Sequence, residues 1–239
     1  MELEMDDRIR FFLEQKMRMP LSDLPTEGIE IRESSRNKDA PWKRLSISRV
    51  GNGALVTGIS RIIRAVEPVI QNMSIWELFH PYGLAELRYA LSQADGKSLR
   101  EGFHYTLAEK QYIHPADTSP APVKVLVENE DPENKNPQSG LQRSSSGKYF
   151  QPAFAVYDNG KEAAYSGIHW VAPEIVEIGV ETQETHRKRG YGFVLVAAAT
   201  EWVLNQGALA YYRVFPTNTA SIHIARKLGY KLTWQNIYA

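Results

Sequence analysis

Ile175-Val176-Glu177-Ile178-Gly179-Val180 is followed closely by His186-Arg187-Lys188-Arg189-Gly190-Tyr191-Gly192, and this junction decides the reading of the chain. An apolar run starts at Phe193, a second β-branched and aromatic run covers Leu209–Phe215, and Asn218-Thr219-Ala220-Ser221 then leads to Lys227-Leu228-Gly229-Tyr230. The order is strand, basic glycine turn, helix, strand, Asn-capped helix. It is an order suited to a ligand that carries phosphate. The first turn of a helix offers backbone N–H groups with no carbonyl partner, and these attract anions. Gly190 and Gly192 allow a tight bend and a close approach of backbone to ligand. Arg187, Lys188 and Arg189 add positive charge, and a guanidinium grips phosphate with two N–H groups at once. Alone, such a turn also fits a solvated helix start.

Two motifs, in the right order and at the right separation, turn that choice. Arg187-x-x-Gly190-x-Gly192 between a strand and a helix resembles the acyl-CoA loop of the GNAT superfamily of N-acyltransferases. Asn218-x-Ala220-Ser221, with Ala225-Arg226-Lys227-Leu228-Gly229-Tyr230, resembles the closing helix of that superfamily. Glu177-Ile178-Gly179 and this helix are most similar to the branch that includes the ribosomal-protein N-terminal acetyltransferases. The resemblance covers about residues 150–239. It implies an α/β (α+β) fold: a mixed, mostly antiparallel sheet flanked by helices, here with an additional α/β N-terminal lobe. It also implies acetyl-CoA as co-substrate and direct transfer of acetyl to an amine.

The resemblance assigns parts to residues. The CoA diphosphate is expected on the backbone of residues 188–192, with Arg187, Lys188, Arg189, Gly190, Tyr191 and Gly192 around it. The amide arm is expected along the strand edge Val180-Glu181-Thr182, as an added strand would pair. A backbone N–H near Val180 would face the thioester oxygen. Asn218 caps the last helix and is a possible CoA contact. An attacking amine must first lose a proton, and a carboxylate acting directly or through water is the usual acceptor. Glu177 is the first candidate; the alternative is a surface strand carboxylate, since a one-residue change of register reverses its face. His169 is the second candidate, with a structural strand histidine as its alternative. Many GNAT members protonate the departing thiolate with a last-helix tyrosine. Ala225 stands at that position here, and Ser221, one turn away, is either the donor or an ordinary first-turn polar residue. An idle acyl-CoA-binding or regulatory module is the competing reading.

Other chemistries lack their motifs. There is no G-x-x-x-x-G-K-[ST] phosphate loop and no G-x-G-x-x-G with a following acidic residue. The 6 histidines are scattered without metal-ligand spacing, so no metal is expected. Cysteine is absent, which removes disulfides and a thiol-linked acyl-enzyme. Lys plus Arg and Asp plus Glu balance at 28 each, so there is no overall attraction to nucleic acid. The N-terminus is acidic and without an apolar segment, and no run approaches membrane-spanning length. A soluble cytoplasmic protein is expected, acting on a small-molecule or peptide amine, with no nucleic acid or membrane partner. The oligomeric state is not readable.

The chain length of 239 residues accommodates two lobes. The N-terminal lobe is placed at 1–118, shaping the acceptor site, and the GNAT-like core at 119–239. In the first, a helix is expected over 2–18, a linker over 19–41, and a hairpin of Leu45–Val50 and Ala54–Ile59 about Asn52-Gly53. Ser60 should cap a helix to about Met73 that Pro68 bends or shortens, and another helix runs from Leu84 to Ala94 with Gly96 beyond. Gly102–Tyr105 reads as a half-buried strand or part of an acceptor pocket. A connector at His114–Pro122, a strand at Val123–Val127 and a polar loop at 128–148 containing Ser144–Gly147 follow. In the core, strands Ala153–Asp158 and Glu162–Val171 flank the turn Asn159-Gly160. Then come the strand Ile175–Thr182, a helix Tyr191–Gln206 ended by Gly207, the strand Leu209–Phe215, the Asn218 helix, and a last strand Leu232–Tyr238. Trp170, Trp202 and Tyr230 are read as core aromatics.

Overall fold

The computed structural model describes residues 6–17, 19–34, 44–94, 99–107, 112–113, 122–126 and 152–239. Gly96, the connector before Pro122, and the polar loop with Ser144–Gly147 lie outside them. The chain divides into two compact units, Met1–His104 with Leu232–Ala239, and Tyr105–Lys231.

In the first unit, α1 (Asp7–Met17) buries Ile9, Phe12 and Leu13. Next come β1 (Glu27–Glu33), β2 (Leu45–Val50) and β3 (Asn52–Gly58), then α2 (Ser60–Ile70), α3 (Ile75–Leu78) and α4 (Pro81–Ala94). β10 (Lys231–Tyr238) pairs antiparallel with β2, which pairs antiparallel with β3, and β1 lies parallel to β3. Leu45 and Ile47 of β2, Val56 of β3 and Ile237 of β10 form one core with Ile62, Val66 and Ile70 of α2 and Leu84, Leu87 and Leu91 of α4. The apolar stripes of α2 and α4 are what the sheet face requires.

Three expectations for this unit are corrected. Residues 27–33, read as linker, form β1, because Ile29 and Ile31 pack on the core and the backbone pairs with β3. The β2–β3 turn sits one residue earlier than expected: Val50 pairs with Gly53, so Gly51 and Asn52 turn the chain, with Gly51 at φ 59°. Ser60 is not the cap of α2; Ile59 holds that place with no side-chain bond, and the Ser60 hydroxyl donates to Glu33 Oε2 at 2.6 Å. Pro68 falls in the last turn of α2, which ends at Ile70.

In the second unit, β5 (Lys124–Leu126), β6 (Ala153–Asp158), β7 (Lys161–Ala172) and β8 (Ile175–Thr182) pair antiparallel in sequence. β9 (Leu209–Val214) joins β8 in parallel. β4 (Arg100–Leu107) contains the unit boundary. Asn159 and Gly160 turn β6 into β7 at φ 49° and 75°, as two-residue hairpins demand. α5 (Tyr191–Asn205) buries Val194, Leu195, Val196, Ala199 and Val203, and α6 (Thr219–Lys227) buries Ala225. Tyr230 is a core aromatic: its hydroxyl meets Thr200 Oγ1 at 2.7 Å inside the unit. Trp170 is not; it is 44% exposed, because its position on β7 faces outward. The result is a mixed, largely antiparallel sheet arrangement flanked by helices. Among the described residues no helix is long and apolar enough to cross a membrane.

Candidate functional site: a forked strand pair beside a basic helix start

β8 and β9 pair only over Ile175↔Leu209, Val176↔Ala210 and Glu177↔Tyr211. Beyond that point β8 continues to Thr182 against β7 alone. Backbone groups of alternate residues point to opposite edges of a strand. Gln183 N–H donates to Ala163 O at 3.0 Å, and Gly179 O accepts from Ser166 Oγ at 2.9 Å, so the odd-numbered residues here face β7. The N–H and C=O groups of Val180 and Thr182 therefore face the opened side. An unpaired edge of this kind is a place for an extended ligand to add as a strand.

The edge runs towards the start of α5. Gly190 is its N-cap at φ 82°, a left-handed conformation that costs any side chain. Helical bonding begins with Phe193 N–H and Val194 N–H on Gly190 O, at 3.1 and 3.2 Å. The N–H groups of Tyr191 and Gly192 precede that ladder and are available to an anion. A Cβ on Gly192 would come within 3.3 Å of Thr182 Oγ1 and 3.6 Å of Ile224 Cδ1, so the glycine lets α5 close on β8 and α6. Lys188 also holds a positive φ, at 63°. The charges of the turn are unequal in freedom. Arg189 Nη1 donates to Asp158 Oδ2 at 2.9 Å, and His186 lies 3.5 Å from the same carboxylate. Arg187 is 3.9 Å from Glu184 with both side chains exposed, a contact worth little in water.

α6 supplies the other wall. Asn218 Oδ1 accepts the Ser221 N–H at 3.1 Å, closing the first turn as a cap should. Ser221 lies beside Tyr212, whose buried hydroxyl has no regular hydrogen bond among the described residues. Burial pushes the Tyr212 phenol up and the Ser221 side chain draws it partly back. Tyr112 closes one end, its hydroxyl donating to Ala197 O at 3.3 Å; burial, with Glu201 nearby, pushes its phenol up to about 12.

These elements enclose a cleft of about 1200 Å³. Val180, Glu181, Thr182, Arg187, Lys188, Arg189, Gly190, Tyr191, Gly192, Asn218 and Ser221 all line it. Glu177 and His169 do not. They are directly opposite one another on β8 and β7, and Glu177 Oε1 is 3.3 Å from Arg213 Nε. By strand alternation Glu177 faces away from the side to which Val180 and Thr182 point. Glu177 is also the last β8 residue paired with β9, so it stands where the two strands part. Among the lining residues, Tyr112, Glu201 and His223 carry no motif that reading the sequence alone would single out.

A family model described as FR47-like protein matches residues 157–239. No curated protein matches the chain. Among solved structures, the chain is similar to one described as an acetyltransferase of the GNAT family from Novosphingobium aromaticivorans, at 20% identity and TM-score 0.45, over 59% of this chain and 63% of that one. It is also similar to a GCN5-related N-acetyltransferase from Kribbella flavida, at 21% identity and TM-score 0.43, over 67% of this chain and 64% of that one. A third likeness is to an aminoglycoside N-acetyltransferase in complex with CoA, at 23% identity and TM-score 0.30, over 34% and 68%. The chain spans less than two thirds of the first two structures. Residues 157–239, which hold the forked strands, the basic helix start and the Asn-capped helix, are the part of the chain that matches the FR47-like family model.

Proposed function

We propose that the protein is an acetyl-CoA-dependent N-acetyltransferase that moves acetyl directly to an amine. The observation that carries this reading is the fork: Val180 and Thr182 present unpaired backbone groups along a cleft that ends on the α5 N-terminus. The residues fit the chemistry of a thioester on a diphosphate-bearing arm. Tyr191 and Gly192 N–H groups, with Lys188 and Arg187, receive the diphosphate. The Val180–Thr182 edge receives the amide arm, and the Val180 N–H takes the thioester oxygen as its charge grows. A donor lying along one face of the fork leaves the other face for the acceptor. Glu177, at the point of the fork and on that other face, is the base, held in place by Arg213 and with His169 beside it.

In the reaction, Glu177 removes a proton from the ammonium directly or through water. The amine lone pair forms a C–N bond to the thioester carbon, and the Val180 N–H stabilises the tetrahedral oxyanion. As the C–S bond breaks, the nitrogen gives up its remaining extra proton to water, and the thiolate takes a proton from Ser221, which regains one from that water; Tyr212 is the adjoining hydroxyl. Ala225 is fully buried and takes no part. The acceptor's branch, small molecule or protein N-terminus, is left to experiment. Acetyl-CoA is incubated with a panel of amines (amino acids, polyamines, aminoglycosides and short peptides), and free CoA thiol is followed. Amine-dependent thiol release supports the reading. Binding of acetyl-CoA without release for any amine contradicts it and leaves an idle acyl-CoA-binding module.

A further inference from the structure

β2 reads Leu45-Ser46-Ile47-Ser48-Arg49-Val50, and its burial alternates strictly. Leu45 and Ile47 enter the core of the first unit; the next inward position is Arg49. Its exposure is only 6%. A buried cation ordinarily sits against a carboxylate, because losing hydration costs several kcal/mol. Arg49 has none among the described residues. Its Nε donates to Gly51 O at 3.0 Å, and its guanidinium lies 3.9 Å from the ring centre of Trp76 and 5.7 Å from that of Phe79. The Nη groups have no acceptor among the described residues. Desolvation lowers its pKa, with no opposing charge to restore it.

The guanidinium lines a cleft of about 470 Å³ together with Trp76, Phe79, His80, Leu232 and Gln235. Gln235 is the cross-strand neighbour of Arg49 on β10 and is itself buried. Its amide is a second polar group on the same wall. The aromatic wall is rigid. Ser74 and Glu77 form a reciprocal cap on α3, with Ser74 N–H on Glu77 Oε2 at 2.7 Å and Glu77 N–H on Ser74 Oγ at 3.3 Å. A Cβ on Gly83 would lie 2.1 Å from Glu77 O, so only glycine lets α4 press against α3 there. Trp76 is nonetheless 67% exposed, a large apolar ring held over a buried cation at the mouth of the cleft.

We propose that Arg49 anchors a ligand site in the first unit for a small carboxylate with an apolar, preferably aromatic, body. The guanidinium fork matches a planar carboxylate, and Trp76 and Phe79 cover the apolar part. A single cation amid aromatic and aliphatic walls suits one negative charge better than a phosphate dianion. The proposal does not depend on the acyl-CoA reading.

The test uses the full chain and 3-phenylpropionate, with 3-phenylpropionamide and inorganic phosphate as controls, by calorimetry and thermal unfolding. At about 10 mM, 3-phenylpropionate gives saturable heat and raises Tm by a few degrees, while both controls give neither. Arg49→Met retains the volume without the charge. It unfolds no earlier than the wild type and loses the response, because a buried cation kept for a ligand is dispensable for folding. Arg49→Lys, which keeps a charge without the fork, folds and binds at least about tenfold more weakly. The proposal is overturned if the wild type ignores 3-phenylpropionate, or if the amide or phosphate binds as well. It is also overturned if Arg49→Lys binds like the wild type, or if Arg49→Met either retains the response or fails to fold.

Discussion

Glu177 and Tyr211 are the last partners in the β8–β9 ladder, and the two strands part immediately beyond them. That one relationship opens the strand edge at Val180 and Thr182 and puts a carboxylate at the origin of the gap. It separates two duties three residues apart: the Val180 backbone faces the gap, and the Glu177 side chain faces the opposite side of the sheet.

Glu177→Gln keeps the shape and removes the proton acceptor. Turnover is expected to fall by roughly 10²–10⁴-fold with little change in acetyl-CoA affinity. Steady-state kinetics with the best amine, beside calorimetry with acetyl-CoA, separates the two. Turnover near the wild-type value would move the base to His169 or a bound water.

Gly190→Ala tests the helix start. The φ of 82° is unfavourable for any residue with a Cβ, by about 1–2 kcal/mol. Relaxing that strain swings the first N–H groups of α5 away from the cleft. Acetyl-CoA affinity should drop by more than the loss of stability explains, read by calorimetry on the variant at a temperature where it is fully folded. Unchanged affinity would remove the diphosphate from this turn.

Asn218→Ala and Ser221→Ala divide the last helix into structure and chemistry. The first deletes the cap on Ser221 N–H and should cost about 1 kcal/mol of stability by chemical denaturation. The second leaves the Asn218 cap in place and should lower kcat while acetyl-CoA binding persists. If Ser221→Ala keeps full kcat, the thiolate leaves without its help.

Much of the second unit was legible because its signals are local. Asn159-Gly160 set one hairpin, the glycines bounded α5, and Asn218 and Gly229 bounded α6. The strand Ile175–Thr182 was read to the residue. What stayed hidden depends on partners distant in sequence. β1 is a polar edge segment whose strand character comes from β3. The closing strand β10 pairs with β2, nearly two hundred residues earlier in the chain. The fork after Glu177 has no sequence signal at all, since Ile178-Gly179-Val180 reads as continuous strand. Which face Glu177 occupies followed only from the register. Arg49 carries a local signal of its own, a charge at the third inward position of an alternating strand.

Glu162 makes a prediction on pH. Burial, then the nearby Glu181, raises its carboxyl pKa, and Glu162 Oε2 is buried without a hydrogen bond among the described residues. A carboxyl with a folded pKa above its unfolded value is stabilising while protonated. Stability is therefore lost as pH rises through the raised pKa, and the ionised group is a burden at neutral pH. Glu162→Gln should unfold at a higher temperature than the wild type at pH 8, with the difference shrinking towards pH 5. A constant or reversed difference would contradict the assignment.

The most direct test of the whole account is calorimetric titration of the protein with acetyl-CoA in the absence of any amine. Saturable binding to a single site is expected, with a dissociation constant below about 1 mM, matched by a rise in Tm with ligand concentration. No heat and no change in Tm at millimolar acetyl-CoA would contradict it, because the forked strands and the basic helix start would then hold no acyl-CoA.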